Sequence, residues 1–189
     1  MFLKNFQTEI FRGTTESVGV LLDMNELFED FVFRVLCNNK DKLLLKTVAF
    51  QKGRRLVRGV RKIGQASFDR KMMFDTYQDI VVEFKSGKKL IIDTKYKILN
   101  TKGHHFGIVQ SDVYQVLAYR ELHTGQTESA VLLIYPEGPE ALRQEFLINS
   151  ENNVRFAAAT INLKTDLREN LADTVNQFRE LFTGLQLYT

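Results

Sequence analysis

The chain has 189 residues and a formal net charge of +3, from 26 lysine and arginine against 23 aspartate and glutamate side chains. This length predicts one domain that can bury roughly 70% of its unfolded surface. Hydrophobic residues make up 44% and charged residues 26%, values that exclude a disordered chain. The single cysteine, Cys37, excludes an intramolecular disulfide framework. Composition alone names no function, because so small a charge indicates no particular partner.

The N-terminal segment, residues 1–12, is aromatic but is interrupted by charged and polar side chains. It lacks the continuous apolar core and the cleavage site of a signal peptide. No stretch approaches the roughly 20 apolar residues that span a bilayer. We therefore expect a cytoplasmic protein with no membrane partner. Its single domain is expected to comprise an N-terminal extension (1–22), a core (23–136), and a C-terminal strand and helix (137–189).

The first predicted element is a helix that begins after Asp23. Asp23 can cap it, with Glu26 as the capping-box partner three residues further on. Apolar residues then recur at helical spacing as far as Leu36, and the helix is expected to end near residues 37–39. Glu29 falls at the edge of the apolar face, so it is a candidate for a role beside that face.

A strand is predicted from Leu43 to Phe50, and a basic segment follows it. Residues 51–62 contain no acidic side chain and six basic ones, namely Lys52, Arg54, Arg55, Arg58, Arg61 and Lys62. Such a run is typical of a ribbon that faces nucleic-acid phosphates. The alternative is a solvated pair of strands, which a charge run alone favours.

The most informative segment, residues 79–97, is predicted to form two antiparallel strands around a turn at residues 85–87. A three-residue loop that ends in a left-handed glycine sets the register of such a hairpin. Counting back along the ladder places Asp79 opposite Asp93 on one face of the sheet. Side chains alternate with period two, so Lys95 is expected on the same face as Asp93.

Helix and strand alternate in the rest of the chain. A second helix is predicted to start at residues 111–112 and to stop at Gly125. A continuous apolar strand follows at residues 130–135, the kind that is buried on both sides of a sheet. Strand, helix and buried strand form a βαβ crossover pattern. Residues 144–148 are expected to add an edge strand, before a last helix that starts near Asp166.

The facing carboxylates of Asp79 and Asp93 carry the chemical hypothesis. Two carboxylates at short range repel each other, so either one is protonated or a cation binds between them. Mg²⁺ suits this place because it prefers a few carboxylates and several waters. Lys95 could then orient a water and stabilise charge on a phosphate. A surface salt bridge between Asp93 and Lys95 is the alternative, but the buried strand that precedes them favours a site.

Three segments, in the same order, resemble a known family. They are residues 24–32 (MNELFEDFV), 90–97 (LIIDTKYK) and 112–119 (DVYQVLAY). Asp79, the Asp-Thr-Lys motif at 93–95 and the helix with Gln115 and Tyr119 resemble the PD-(D/E)XK nuclease superfamily. The three segments resemble McrC, the nuclease subunit of the McrBC restriction system, which cleaves DNA containing modified cytosine. The resemblance implies an α/β fold with a restriction-endonuclease-like core, in which helices flank a mixed central β-sheet.

The resemblance also implies a metal site. Asp79 and Asp93, helped by the Thr94 carbonyl, would bind Mg²⁺, for which Mn²⁺ could substitute. Glu29 would complete the site from the first helix, with Glu26 as its nearest rival. Asp75 similarly competes with Asp79, although only Asp79 directly opens the apolar strand.

The remaining implied roles concern catalysis and DNA. Lys95 would be the catalytic lysine, and Gln115 and Tyr119 would help to hold the DNA backbone or Lys95. Lys97 would be a supporting lysine beside DNA, and the basic side chains of the 51–62 segment would bind DNA.

The implied activity is that of a Mg²⁺-dependent endodeoxyribonuclease that hydrolyses phosphodiester bonds. The implied partners are DNA and a McrB-like AAA+ GTPase that activates the nuclease, and a homodimer would serve double-strand cleavage. Two alternatives belong to other classes: a non-catalytic DNA-binding or assembly subunit on the same fold, and a generic or RNA-directed nuclease outside restriction.

Overall fold

The structure is a computed structural model and describes residues 10–12, 18–20, 22–57, 59–70, 73–124, 129–148, 154–163 and 167–189. Its elements in chain order are β1 (Ile10–Arg12), β2 (Val18–Val20), α1 (Met24–Asn38), β3 (Leu45–Val57), β4 (Met73–Phe84), β5 (Lys89–Thr94), a short 3₁₀ helix (His104–Gly107), α2 (Gln110–Thr124), β6 (Ser129–Pro136), β7 (Arg143–Leu147), β8 (Arg155–Ile161) and α3 (Leu167–Gly184). Within these ranges, no helix has the length and apolar character needed to cross a membrane.

Six strands form one mixed sheet in the order β3-β4-β5-β6-β8-β7, and β1 pairs with β2 in a separate two-stranded sheet. The pairs β3–β4, β4–β5 and β7–β8 are antiparallel, whereas β5–β6 and β6–β8 are parallel. A parallel pair needs a crossover connection, which α2 provides between β5 and β6. The predicted α/β architecture with a mixed central sheet is therefore confirmed, as is the edge position of the strand near residue 145.

The hairpin of β4 and β5 has the predicted register. Val81 pairs with Ile91, and the last recorded pair toward the site joins Ile80 to Ile92. The turn depends on Gly87, whose φ of 88° lies in the left-handed region that glycine adopts at no steric cost. One step further along the ladder, the next two positions are Asp79 and Asp93.

Helix α1 begins as predicted, with Asp23 as its N-cap. The Oδ1 atom of Asp23 accepts hydrogen bonds from the backbone amides of Asn25 at 2.8 Å and Glu26 at 3.3 Å. Such bonds satisfy amides that have no partner inside the helix. The buried side chains of the helix are Phe28, Val32, Val35 and Leu36. Its apolar face therefore follows the predicted pattern and fixes α1 on the sheet.

Helices cover both faces of the sheet. One apolar layer joins Phe28 of α1 and Phe178 of α3 to Ile92 of β5. The other layer joins Val116 of α2 to Ile91 of β5. Side chains of β5 alternate between the two layers, so its odd-numbered positions face α2.

Strands β1, β2 and β8 are absent from the sequence-based prediction. Strand β8 contains three consecutive alanines, which are uncommon in strands, yet every residue from Phe156 to Ile161 is buried. Its position between β6 and β7 explains this, because small side chains suffice in a strand covered on both faces. The C-terminal part of the chain thus contributes two strands to the sheet where one was expected.

Other element boundaries differ slightly from the prediction. Strand β3 begins at Leu45 and continues to Val57, well beyond the expected end, and α2 begins at Gln110, just before the expected start. The extension of β3 carries the basic segment away from the sheet. The expected helix stop at Gly125 and the expected cap at Asp166 lie outside the described residues.

Candidate active site

Asp79 is held against the end of β5 by two hydrogen bonds. Its Oδ2 atom accepts one from the backbone amide of Thr94 at 2.6 Å and one from the Thr94 hydroxyl at 3.0 Å. Burial raises the pKa of Asp79, while these bonds and the charge of Lys95 offset part of the rise. Because Thr94 follows Asp93 directly, these bonds hold the carboxylate of Asp79 close enough to Asp93 for the two charges to interact.

Asp93 is the most deeply buried acid of the site, with 1% of its surface exposed. Its Oδ2 atom lies 2.7 Å from the Nζ atom of Lys95. Its Oδ1 atom is buried and receives no hydrogen bond from any residue that the structure describes. Burial, and then the charge of Asp79, raise the pKa of Asp93 to about 6, although Lys95 lowers it. The positive charge of Lys95 therefore only partly offsets the burial of Asp93 and its repulsion from Asp79.

Lys95 is anchored at both its backbone and its side chain. Its backbone amide donates to the Ile134 carbonyl of β6 at 2.9 Å, and its side chain is 25% exposed. Burial lowers the pKa of Lys95, but the negative charges of Asp93, Asp79 and Asp112 outweigh this and raise the pKa above its ordinary value. Lys95 is therefore a fixed cation at neutral pH.

A second polar cluster beside the site centres on Asp112 of α2. Its Oδ2 atom accepts hydrogen bonds from the Lys97 ammonium group and from the Tyr135 hydroxyl, the latter at 3.3 Å. The Lys97 Nζ atom also lies 5.5 Å from the centre of the Tyr135 ring. Burial, and then the charge of Asp112, raise the pKa of Tyr135, so this phenol stays protonated and donates.

The sequence indicates Asp112 only as a place where a helix could start. No pattern in the sequence pairs Asp112 with Lys97, which lies in a tight turn after β5, where its backbone amide donates to the Lys95 carbonyl at 2.9 Å. Lys97, expected beside DNA, is bound to Asp112 and so joins the end of β5 to α2. Its contact with DNA stays a prediction.

Gln115 and Tyr119 share one face of α2, as their spacing predicts. The Gln115 Nε2 atom donates to the Tyr119 hydroxyl at 2.6 Å. Gln115 is exposed, while Tyr119 is half-buried and packs against the apolar layer beneath α2. Their contact with DNA or with Lys95 stays a prediction.

Helix α1 approaches the segment that follows β5. The Tyr96 backbone amide donates to the Asn25 side chain at 3.3 Å, and the Phe28 and Tyr96 ring centres are 5.9 Å apart. Glu29 lies one turn after Asn25 and is half-buried with a buried Oε1 atom, whereas Glu26 is exposed. Of the two rivals, Glu29 is therefore the one on the side of α1 that meets this segment.

The two aspartates fit a hard divalent cation. Both are carboxylates, the pKa of each is raised, and Asp93 has a buried oxygen atom without a donor in the described part of the chain. A cation that binds both would relieve their repulsion. Across the described residues, however, no group of three or more His, Cys, Asp or Glu side chains could hold a metal ion. The structure thus places Asp79 near Asp93, and both Glu29 and the Thr94 carbonyl as metal ligands stay predictions.

The extended parts of β3 and β4 form a two-stranded ribbon, residues 51–57 paired with 73–79. Strand β5 pairs with β4 only over residues 80–83, so the ribbon leaves the sheet at Asp79. Asp75, the rival of Asp79, is positioned out on this ribbon, opposite Arg55. Asp79, by contrast, is hydrogen-bonded to Thr94 next to Asp93, and its role in binding a metal stays a prediction.

The predicted DNA-binding residues follow the ribbon outward. Arg54 and Arg55 occupy backbone positions on β3, opposite Thr76 and Asp75. Arg58 lies outside the described residues, and Arg61 and Lys62 are exposed beyond the ribbon. The basic segment therefore begins next to the carboxylate pair and runs away from it.

The mixed sheet, the paired aspartates and the adjacent lysine define a restriction-endonuclease-like α/β domain. The family model described as McrBC 5-methylcytosine restriction system component matches residues 1–136. The chain belongs to this family, which confirms the resemblance to McrC.

One solved structure with a similar fold is described as a refined half-complex from a tetradecameric assembly of Thermococcus gammatolerans McrB AAA+ hexamers with bound McrC. The match has a TM-score of 0.59 and 16% sequence identity, and it covers 89% of this chain and 34% of that chain. This chain thus spans about a third of the length of its structural neighbour. No curated protein matches it.

Proposed function

We propose that this chain is a divalent-metal-dependent DNA endonuclease of a McrBC-like restriction system, which hydrolyses phosphodiester bonds. The observation that carries the proposal is the cluster of Asp79, Asp93 and Lys95. In it, the buried carboxylate of Asp93 lies 2.7 Å from the Lys95 Nζ atom, and the half-buried Asp79 lies beside them. Membership of a restriction-system family supports DNA as the substrate.

Each residue of the cluster has a distinct role in the proposed reaction. Asp79 and Asp93 would hold Mg²⁺, or Mn²⁺ in its place. When bound, the metal supplies Lewis acidity toward the phosphate and lowers the pKa of a water molecule. Lys95 stabilises the negative charge that develops on the phosphate, because its raised pKa keeps it cationic. Asp93 also orients the Lys95 ammonium group through their ion pair.

The proposal includes a partner. The similar solved structure contains McrB AAA+ hexamers with bound McrC. We propose by analogy that a McrB-like AAA+ GTPase activates this nuclease in the cytoplasm and that two nuclease domains combine for double-strand cleavage.

The experiment that tests the function compares three substrates: unmodified DNA, DNA containing 5-methylcytosine, and RNA of the same sequence. Each is incubated in Mg²⁺ with the wild-type chain, with and without a McrB-like GTPase. We expect cleavage of DNA, and loss of cleavage in Asp93→Ala and Lys95→Ala.

The matched control is Lys102→Ala, because Lys102 is an exposed lysine paired with Glu140. It should cleave as wild type does. Cleavage of RNA alone would reassign the substrate. DNA binding without cleavage under every condition would favour the non-catalytic assembly subunit.

A further inference from the structure

The tip of the ribbon, residues 59–70, exposes large apolar side chains that belong to neither apolar layer. Ile63 is fully exposed, and Phe68 is 62% and Val60 39% exposed. Both buried clusters consist of other residues. Exposing side chains of this size is unfavourable unless they have something to contact.

The tip is an ordered turn, so these side chains are held outward by the backbone. Val60 and Asp69 pair across it, with reciprocal amide-to-carbonyl bonds of 3.0 and 2.9 Å. At its end, the Gln65 amide donates to the Lys62 carbonyl at 3.1 Å, and Gly64 has a φ of 92°. The end of the ribbon is therefore closed by a turn that places Ile63 at its extremity.

Charge at the tip selects a polyanion as the occupant. Arg61, Lys62 and Arg70 are exposed, and Asp69 is the one acidic residue between positions 59 and 70. The Arg61 guanidinium lies 4.6 Å from the centre of the Phe68 ring. A cation stacked on an exposed aromatic ring offers both charge and a flat apolar surface to a ligand.

The small apolar area of the tip favours nucleic acid over a protein as the ligand. Stable protein interfaces bury about 800 Å² on each side with an apolar centre. The tip presents only three apolar side chains among cations, which is too little for such a centre. Proteins that bend duplex DNA insert one or two apolar side chains between base steps, with basic residues on the neighbouring phosphates.

We propose that the ribbon tip binds duplex DNA, with Phe68 and Ile63 as an apolar wedge at a base step and Arg61, Lys62 and Arg70 on the flanking phosphates. This inference rests on the proposed function, because it takes DNA as the ligand. The ribbon between Asp79 and Met73 spans about 20 Å at ~3.3 Å per residue. For a duplex that lies along the ribbon, the wedge would act at least about six base pairs from the bond that is cut, since base pairs are ~3.4 Å apart.

The test uses duplexes with 2-aminopurine at successive positions, and the full chain in EDTA so that no cleavage occurs. Fluorescence anisotropy reports affinity, and 2-aminopurine fluorescence reports unstacking. We expect wild type to unstack one step, and Phe68→Ala with Ile63→Ser to abolish that signal and weaken binding about tenfold. Arg61→Gln with Lys62→Gln should reduce the salt dependence of binding by about two counterions.

The matched control is Leu147→Ser. Leu147 is 66% exposed on β7, at the opposite edge of the sheet from the ribbon. It should change neither signal, and all variants should keep the wild-type Tm. Wild-type affinity and unstacking in the Phe68→Ala, Ile63→Ser variant would overturn the wedge, as would loss of binding to a McrB-like GTPase with DNA binding intact.

The outcomes also distinguish failure of the proposed wedge from failure of the proposed nuclease activity. Unstacking without cleavage in Mg²⁺ would support the wedge and count against the proposed function. Cleavage by a wild-type chain that unstacks no base step would support the function and overturn the wedge. Absence of any DNA binding would overturn the wedge directly.

Discussion

One carboxylate oxygen of Asp79 accepts hydrogen bonds from both the amide and the hydroxyl of Thr94, at 2.6 and 3.0 Å. These bonds join β4 to β5 just beyond the last recorded pair of their ladder. They fix the carboxylate of Asp79 beside Asp93 although both carry raised pKa values. The negative pair is thus held in place by the protein itself, before any cation binds.

The Thr94 hydroxyl is therefore expected to contribute to activity and stability. Thr94→Val keeps the shape of the side chain and the hydrogen bond from the backbone amide to Asp79. It removes the hydrogen bond from the hydroxyl to Asp79, and the Thr94 side chain is only 6% exposed. We expect a loss of about 1 kcal/mol in the free energy of unfolding and a cleavage rate lowered about tenfold. Urea denaturation and a plasmid nicking assay measure the two effects.

Thr94→Ser is the matched control, because it retains the hydroxyl. It should recover most of the activity that valine loses. If valine and serine behave alike, the hydroxyl bond to Asp79 does not position the carboxylate.

The buried charge of Asp93 predicts how stability depends on pH in the metal-free protein. Its pKa of about 6 exceeds that of an unfolded aspartate, ~3.9. The folded state therefore holds this proton more tightly, and the free energy of unfolding falls as pH rises from about 4 to about 6. Asp79 and Asp112 face Asp93 with the same sign of charge, and Lys95 opposes them.

Asp93→Asn should remove most of this dependence, because asparagine is neutral at every pH. At pH 8 in EDTA, it is expected to raise the free energy of unfolding by about 3 kcal/mol, since one pKa unit corresponds to about 1.4 kcal/mol. Urea denaturation at pH 5 and pH 8 measures both quantities. A less stable Asp93→Asn variant at pH 8 would show that Lys95 stabilises the ionised carboxylate more than burial penalises it.

The ion pair of Lys97 and Asp112 is expected to fasten α2 to the end of β5. Their side chains are 36% and 12% exposed, so solvent weakens the pair. Asp112→Asn is predicted to cost about 1–2 kcal/mol of unfolding free energy. Tyr135→Phe, which removes only the 3.3 Å bond, should cost less.

A double-mutant cycle isolates this pair. Asp112→Asn combined with Lys97→Met should be less destabilising than the sum of the two single changes, because each leaves the other charge without its partner. Strict additivity would mean that the two residues contribute independently.

A substitution of Tyr119 tests whether the face of α2 that carries Gln115 and Tyr119 contributes to cleavage. Tyr119→Phe removes the hydroxyl that accepts from Gln115 at 2.6 Å and leaves the packed ring. Because Gln115 is exposed, we expect the Tm to change by less than about 2 °C. If the pair contacts DNA or Lys95, cleavage falls several-fold at unchanged stability. Unchanged cleavage would remove both residues from the catalytic set.

Local rules explain why the centre of the site is predictable from sequence. The left-handed glycine at 87 sets the hairpin register, and the register alone places Asp79 opposite Asp93. Period-two alternation adds Lys95. The cap at Asp23 likewise depends only on the neighbouring amides.

Features that depend on distant contacts are not predictable in this way. Asp112 contacts Lys97 and Tyr135 only after α2 packs on the sheet, so the sequence of α2 alone does not indicate these contacts. Strand β8 contains alanines whose strand conformation comes from burial between two neighbours. The length of the ribbon follows from pairing between β3 and β4 that no hydrophobic pattern marks.

The most direct test of the central claim is the rate of nicking of a supercoiled plasmid as Mg²⁺ is titrated in the presence of a McrB-like GTPase, with wild type and Asp93→Asn measured in parallel. We predict that the wild-type rate rises from zero in EDTA to a plateau in Mg²⁺, and that Asp93→Asn, folded and no less stable, nicks nothing at any Mg²⁺ concentration. Equal Mg²⁺-dependent nicking by both proteins would contradict the assignment of Asp93 to the metal site.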